Sequence, residues 1–303
     1  MMKKKYTGVV VPLITPFTAN GNIDEPAVEK LIHFIISNNC YPFILGTTGE
    51  SLSIPAEFKI VFTNKVIKTV NGKKTVFVGI SGMCLKESVE MGKRFADMGA
   101  DLLVAHLPGY YPLPAHYMLT YFDQLADQLP VPLMIYNIKT TTHMTIPVEV
   151  VEKLSHHDNI AGLKDSDRDE IRLDTMLNLF RDRRDFSFFL GWAGKSMYGL
   201  INGADGIVPS TANAFPDLYY KLYMAVQEGD LSQAEELQNI TNELSDIYQK
   251  DKLLSQALPG LKTILEHIDI CNAFTLPPCY PLSGTEKGQI ISRLNTFKAK
   301  KII

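Results

Sequence analysis

The stretch at residues 87–106, ESVEMGKRFADMGADLLVAH, contains the unit on which the fold assignment rests. Residues 87–98 have helical periodicity, Gly99 supplies a helix stop, and 102–106 follow as an apolar run ending at His106. A run without polar alternation suits a parallel strand covered on both faces. Seven further runs of this kind lie at 8–17, 42–45, 76–80, 133–137, 160–164, 186–190 and 206–208, making eight. Helical periodicity fills the gaps: residues 26–39 place Val28, Leu31, Ile32 and Ile35 on one face, and 55–70 behave alike. Asp24 before Glu25-Pro26, and Ile54 before Pro55-Ala56-Glu57, mark helix starts.

Eight strand–helix units at roughly 25–35-residue spacing match a (β/α)8 TIM barrel of about 250 residues. A doubly wound sheet would need a Gly-rich turn after the first strand, where Thr15-Pro16-Phe17-Thr18 stands instead. Beyond about residue 215 only helical patterns remain, at 218–228, 231–252, 259–268 and 284–298. The expected division is a barrel over 1–222 and a helical C-terminal extension over 223–303.

The 303 residues hold 30 Lys plus Arg against 33 Asp plus Glu, a net charge of −3. That balance argues against nucleic acid as a partner, because a phosphate-neutralising face leaves a positive excess. Four scattered cysteines, Cys40, Cys84, Cys271 and Cys279, make no disulfide framework and read as reduced thiols. Lys3, Lys4 and Lys5 before residues 9–14 superficially resemble a secretory signal, but the apolar stretch is short and broken by Pro12 and Pro16. No run of about 18 apolar residues exists to span a membrane. The expectation is a cytoplasmic protein.

Two local patterns read as structural. Residues 191–196 end like a phosphate-binding loop, but Phe189 stands where that motif needs glycine, so a helix start after the seventh strand is expected. His156 and His157 are adjacent and point in different directions on a helix, which does not suit a metal. No metal site is expected.

In a barrel of this kind chemistry sits where strands end at their C-terminal side. Lys164 closes the sixth run, a place that would bury its stem in the barrel mouth. A lysine amine ordinarily titrates near pH 10.4; burial disfavours the ammonium, and the neutral amine can attack a carbonyl carbon to form a Schiff base. An ordinary lysine whose head reaches solvent at the rim is the competing reading. Asp165 is the next residue along the strand and so faces away, while Ser166 returns to the pocket side. The fifth run ends in Tyr136-Asn137, and a phenol at 136 can shuttle protons or simply pack. The turn Gly46-Thr47-Thr48-Gly49 offers two hydroxyls and open backbone N–H groups, suited to a carboxylate or to capping the next helix.

Gly46-Thr47-Thr48-Gly49-Glu50, Tyr110-Tyr111, Tyr136-Asn137 and Gly162-Leu163-Lys164, in this order and spacing, resemble the dihydrodipicolinate synthase / N-acetylneuraminate lyase family. The opening 12–17 and the later Gly203-Ala204-Asp205-Gly206 and Ser210-Thr211-Ala212-Asn213 are similar too. The resemblance implies a class I aldolase or lyase acting on pyruvate and an aldehyde partner without a metal or organic cofactor, on a barrel that forms a homotetramer, a dimer of dimers. It implies that Lys164 forms the Schiff base, that Tyr136 is the acid/base, and that Thr47 links it to Tyr110 of a neighbouring subunit. Thr48 and the backbone at Gly49 would hold the 2-oxo acid carboxylate, and Gly191 and Val208 would line the pocket.

Two departures bear on the substrate. Dihydrodipicolinate synthases carry an arginine five residues after the tyrosine, which grips the second substrate's carboxylate; here that position is Thr141. Losing such a charge-assisted contact costs about 1.5–3 kcal/mol. Sialic acid lyases carry an Asp-Glu pair where Ala193 and Gly194 stand. The expected partner is a smaller or less polar aldehyde, or the substrate is a 2-oxo-3-deoxy sugar acid held by Ser166 and the threonines. True 4-hydroxy-tetrahydrodipicolinate synthesis, sialic acid cleavage and a silent barrel that only binds a 2-oxo acid are the alternatives.

Overall fold

A computed structural model describes residues 4–299, the side chain of residue 298 excepted. Eight strands run β1 (Gly8–Pro12), β2 (Tyr41–Ile44), β3 (Phe77–Gly79), β4 (Leu102–His106), β5 (Leu133–Asn137), β6 (Ile160–Asp165), β7 (Ser187–Leu190) and β8 (Gly206–Ile207). They close into a barrel in chain order, the pairs β3 to β8 and β8 with β1 all parallel. Between them lie α1 (Glu25–Ser37), α2 (Ala56–Val70), α3 (Leu85–Asp97), α4 (Ala115–Asp127), α5 (Lys139–Thr142), α6 (Val148–Leu154), α7 (Glu170–Phe180) and α8 (Ser196–Ile201). The C-terminal segment is helical: α9 (Pro216–Glu228), α10 (Leu231–Gln249), α11 (Leu254–His267) and α12 (Gly284–Ala299). The (β/α)8 barrel with a helical C-terminal segment is therefore the observed architecture. Among the described residues no helix is long and apolar enough to cross a membrane.

Contacts divide the chain into two units: residues up to Val10 with Thr75–Pro209, and Val11–Lys74 with Ser210 onward. In the first unit, strands buried along their whole length supply the core, as the unbroken apolar runs require. Phe189 packs edge-on against Phe77, with centroids 6.1 Å apart, and Gly206 leaves the space its ring occupies. Asp205 anchors β8 by accepting from the Phe188 N–H at 2.7 Å and pairing with Lys4 at 2.8 Å. Gly99, with φ of +105°, ends the α3 turn as expected.

In the second unit, Asp24 caps α1 by accepting from the Ala27 N–H at 3.1 Å. The chain beyond Pro12 leaves the sheet, so the strand is shorter than the 8–17 run. Asn213 holds this segment, accepting from the Ile14 N–H at 3.0 Å and donating to the Pro12 carbonyl at 2.8 Å. Helix α11 begins five residues before Pro259, which the sequence reading takes as the start of the helical pattern. Residues 257–265 are all buried, and that burial outweighs the roughly 3 kcal/mol cost of proline inside a helix.

Candidate active site

Strands β4, β5 and β6 align His106 with Tyr136 and Tyr136 with Lys164. Level residues of a parallel sheet share a face, so these three form one row. Asp165 identifies which face it is. Its Oδ2 accepts from Arg172 Nε on α7 at 2.7 Å, placing residue 165 on the helix side and residue 164 on the inner side.

Lys164 is 5% exposed, with Nζ 3.6 Å from the centre of the Tyr136 ring. Burial holds its amine below the usual lysine range, and the Tyr136 phenol partly offsets this. A ring face also favours an ammonium, so desolvation wins against two opposing effects. His106 meets the same ring edge-to-face, centroids 6.0 Å apart. Its Nδ1 lies 2.7 Å from the Leu107 carbonyl, and its backbone N–H donates to Ser81 Oγ at 2.9 Å. Burial lowers this imidazole too; the Leu107 carbonyl opposes the shift and Lys164 reinforces it.

Outside the row, a buried polar network fixes the strand ends. Asp165 Oδ1 accepts from Asn137 Nδ2 at 2.8 Å and from the Asp167 N–H at 2.9 Å. Asn137 Oδ1 in turn accepts from the Ile146 N–H at 3.0 Å, and Arg172 donates to the Ile146 carbonyl at 2.7 Å. Burial raises the Asp165 carboxyl, while Arg172 and Asn137 pull it down. The network ties β5, β6, α7 and the segment after β5 together, so the row above it has a rigid support.

Ser166 follows β6 with its N–H on the Asn137 carbonyl at 2.9 Å. Gly191, at the end of β7, donates to the Asp165 carbonyl at 2.6 Å, and a Cβ there would collide with the Ser166 side chain. Glycine at 191 is thus what admits Ser166. Val208 is buried, with its N–H on the Leu190 carbonyl at 2.8 Å. Thr141 sits in α5, and its buried Oγ1 has no hydrogen-bond partner among the described residues. Tyr110 stands apart, 78% exposed on the segment between β4 and α4, against the Tyr111 ring at 4.8 Å.

Thr47, Thr48 and Gly49 belong to the second unit. Their turn is tight: Leu45 and Glu50 flank it with φ of 56°, and a Cβ on Gly49 would stand 3.0 Å from the Leu13 carbonyl. Thr15 Oγ1 donates to the Gly49 carbonyl at 2.8 Å. Glu50 anchors the turn through a buried ion pair with Lys262 of α11 and by accepting from the Leu276 N–H at 3.1 Å. Lys262 also donates to the Phe274 carbonyl at 2.8 Å; burial lowers its amine and Glu50 opposes the shift.

The two patterns read as structural behave so. Residues 193–195 form a short 3-10 turn before α8, and Lys195 pairs with Glu170 at 2.7 Å. His157 bonds Asp127 at 3.1 Å. Among the described residues no group of three or more His, Cys, Asp or Glu side chains could hold a metal. The sequence reading counts His106 only as the end of an apolar run and gives Lys262 no role. The available signal for His106 is a polar ring closing a strand beside the tyrosine strand.

The sequence model of the dihydrodipicolinate synthetase family matches residues 5–296. The 4-hydroxy-tetrahydrodipicolinate synthase of Staphylococcus haemolyticus (strain JCSC1435) is 29% identical over 99% of this chain and 100% of its own. YagE of Escherichia coli K12, described as a candidate 2-dehydro-3-deoxy-D-gluconate aldolase, is 27% identical over 97% of each chain. The crystal structure of YagE in complex with pyruvate superposes with a TM-score of 0.92, covering 97% of this chain and 99% of that one at 26% identity. Dihydrodipicolinate synthase from Bacteroides thetaiotaomicron also gives 0.92, at 29% identity over 97% and 100% of the two chains. A match that runs almost from end to end, joined to the same fold, shows that the chain belongs to the dihydrodipicolinate synthetase family, whose members are lyases and aldolases.

Proposed function

We propose that Lys164 is the Schiff-base lysine of a class I aldolase. The observation that carries this reading is an amine buried on the inner face, lowered by desolvation and seated 3.6 Å from the Tyr136 ring centre. The neutral Nζ attacks the carbonyl carbon of pyruvate, water leaves, and the protonated imine becomes the electron sink. In cleavage the amine forms the same protonated imine at C2 of a 4-hydroxy-2-oxo acid, and the electron pair of its C3–C4 bond moves into that imine to give the pyruvate enamine. The C4 hydroxyl proton goes to the base, and the aldehyde departs. Tyr136 is the group we assign to give and take these protons. On the family resemblance we assign Thr47 and Tyr110 to the proton relay, Thr48 and Gly49 to the 2-oxo acid carboxylate, and Ser166, Gly191 and Val208 to the pocket. The exposure of Tyr110 supports its use by a neighbouring subunit, and on the family resemblance we assign a homotetramer, with a cytoplasmic location carried over from the sequence expectation.

The substrate reading follows from Thr141. A hydroxyl cannot replace a guanidinium that clamps a second carboxylate. The name given to YagE supports a hydroxylated aldehyde as the partner that lacks this carboxylate, and a 2-oxo-3-deoxy acid as the full substrate. The relation to 4-hydroxy-tetrahydrodipicolinate synthase favours a second reading, condensation of pyruvate with aspartate semialdehyde. Borohydride reduction in the presence of pyruvate, followed by peptide mass spectrometry, tests the first step. An adduct on Lys164 is expected, and an unmodified chain would overturn the enzyme reading in favour of a silent binder. A panel of 2-oxo acids then decides the substrate, with exclusive use of aspartate semialdehyde overturning the sugar-acid reading.

A further inference from the structure

His106 is a buried ring that the imine chemistry above does not use. Its ring is buried at the end of β4, level with Tyr136 and, one strand further, Lys164. Nδ1 lies 2.7 Å from the Leu107 carbonyl oxygen. A carbonyl oxygen only accepts, so Nδ1 carries the ring proton. A second proton is disfavoured by burial and by the neighbouring Lys164. Nε2 is therefore a bare lone pair, with no hydrogen-bond partner among the described residues.

A ligand that covers this acceptor without bringing a donor leaves it unpaired, so the site discriminates in favour of ligands that bring one. The acceptor here is neutral and stands beside an amine, so it suits an uncharged hydroxyl better than a cation. Resting on the aldolase reading above, we infer that His106 is a specificity-determining residue. Its Nε2 accepts a hydrogen bond from a hydroxyl on the aldehyde portion of the substrate, so that aldehydes with a hydroxyl next to the carbonyl are preferred partners for pyruvate.

Glycolaldehyde and acetaldehyde differ only by that hydroxyl. With pyruvate saturating, the ratio of their kcat/KM values reads the contact directly, because any general loss of activity in a variant cancels. Wild type should favour glycolaldehyde by about tenfold or more. In His106→Leu the ratio should collapse towards one, and in His106→Gln, whose amide reaches about as far as Nε2, part of it should return. An unchanged ratio in both variants, or a wild type that uses acetaldehyde equally well, would overturn the assignment. Borohydride trapping of pyruvate on wild type is run alongside. Absence of that adduct would sink the aldolase reading itself, whereas an adduct with an unchanged ratio sinks only the role of His106.

Discussion

Replacing Lys164 by methionine tests the burial of its amine without any substrate. Lys164→Met keeps most of the stem and its apolar contacts while removing the titrating group. Burial lowers the folded-state pKa of this lysine below its unfolded value. Between the folded pKa and the unfolded value of about 10.4 the unfolded chain therefore holds more of this proton than the folded one, and the contribution of Lys164 to stability rises with pH. The penalty is complete below the folded pKa and disappears above the unfolded one. Between the two it changes by one proton, about 1.4 kcal/mol per pH unit. The variant should thus be more stable than wild type at neutral pH, and its advantage should shrink at that rate through the window. Urea unfolding followed by circular dichroism, at several pH values between about 7 and 10 and at one protein concentration, measures this difference. A difference independent of pH would refute the reasoning. One that widens as pH rises would mean that the amine is held as a stabilised ammonium.

Three further substitutions separate chemistry from support. Tyr136→Phe should slow turnover by about 10²–10⁴ while pyruvate is still trapped on Lys164; a fully active variant would remove the proton-shuttle role. Arg172→Leu strands the buried Asp165 and should cost about 3–5 kcal/mol in urea unfolding. Adding Asp165→Asn should recover part of that, and an undiminished loss in the double variant would show the cost to lie elsewhere. Lys262→Met should cost a similar amount by isolating Glu50. The Glu50→Gln, Lys262→Met double variant should lose less, a comparison read from thermal melting.

The sequence is most legible where a strand is buried on both faces and least where distant groups decide the outcome. The runs at 102–106 and 133–137 coincide with β4 and β5 to the residue, because burial on both sides leaves no polar position to blur them. The run at 8–17 overshoots, since β1 ends at Pro12 and the following backbone groups bond to Phe43 and Asn213 rather than to a continuing ladder. No local pattern announces those partners. Three successive threonines argue against a helix at 139–142, yet α5 forms there, and Thr142 Oγ1 reaches the Ile138 and Met144 carbonyls at 2.9 and 3.0 Å. Lys164 and Tyr136 could be singled out because each closes an apolar strand. Lys262 could not, because its partner Glu50 belongs to a segment that only the fold brings near.

The alternation of side chains along β6 explains how a carboxylate can sit next to Lys164 in sequence without disabling it. Asp165 faces outward, where Arg172 and Asn137 occupy both of its oxygens. Inward, the amine meets an aromatic face and stays below the usual lysine range. A one-residue slip of β6 against β5 would exchange the two. The carboxylate would then stand beside the phenol, and the amine would stand beside the guanidinium, leaving two like charges buried together. Such a register is excluded by the cost of burying unpaired charge. The outward network therefore does more than brace the strand. It favours the register that turns the Lys164 amine inward, so the Asp165–Arg172 pair supports the placement of Lys164 without touching it.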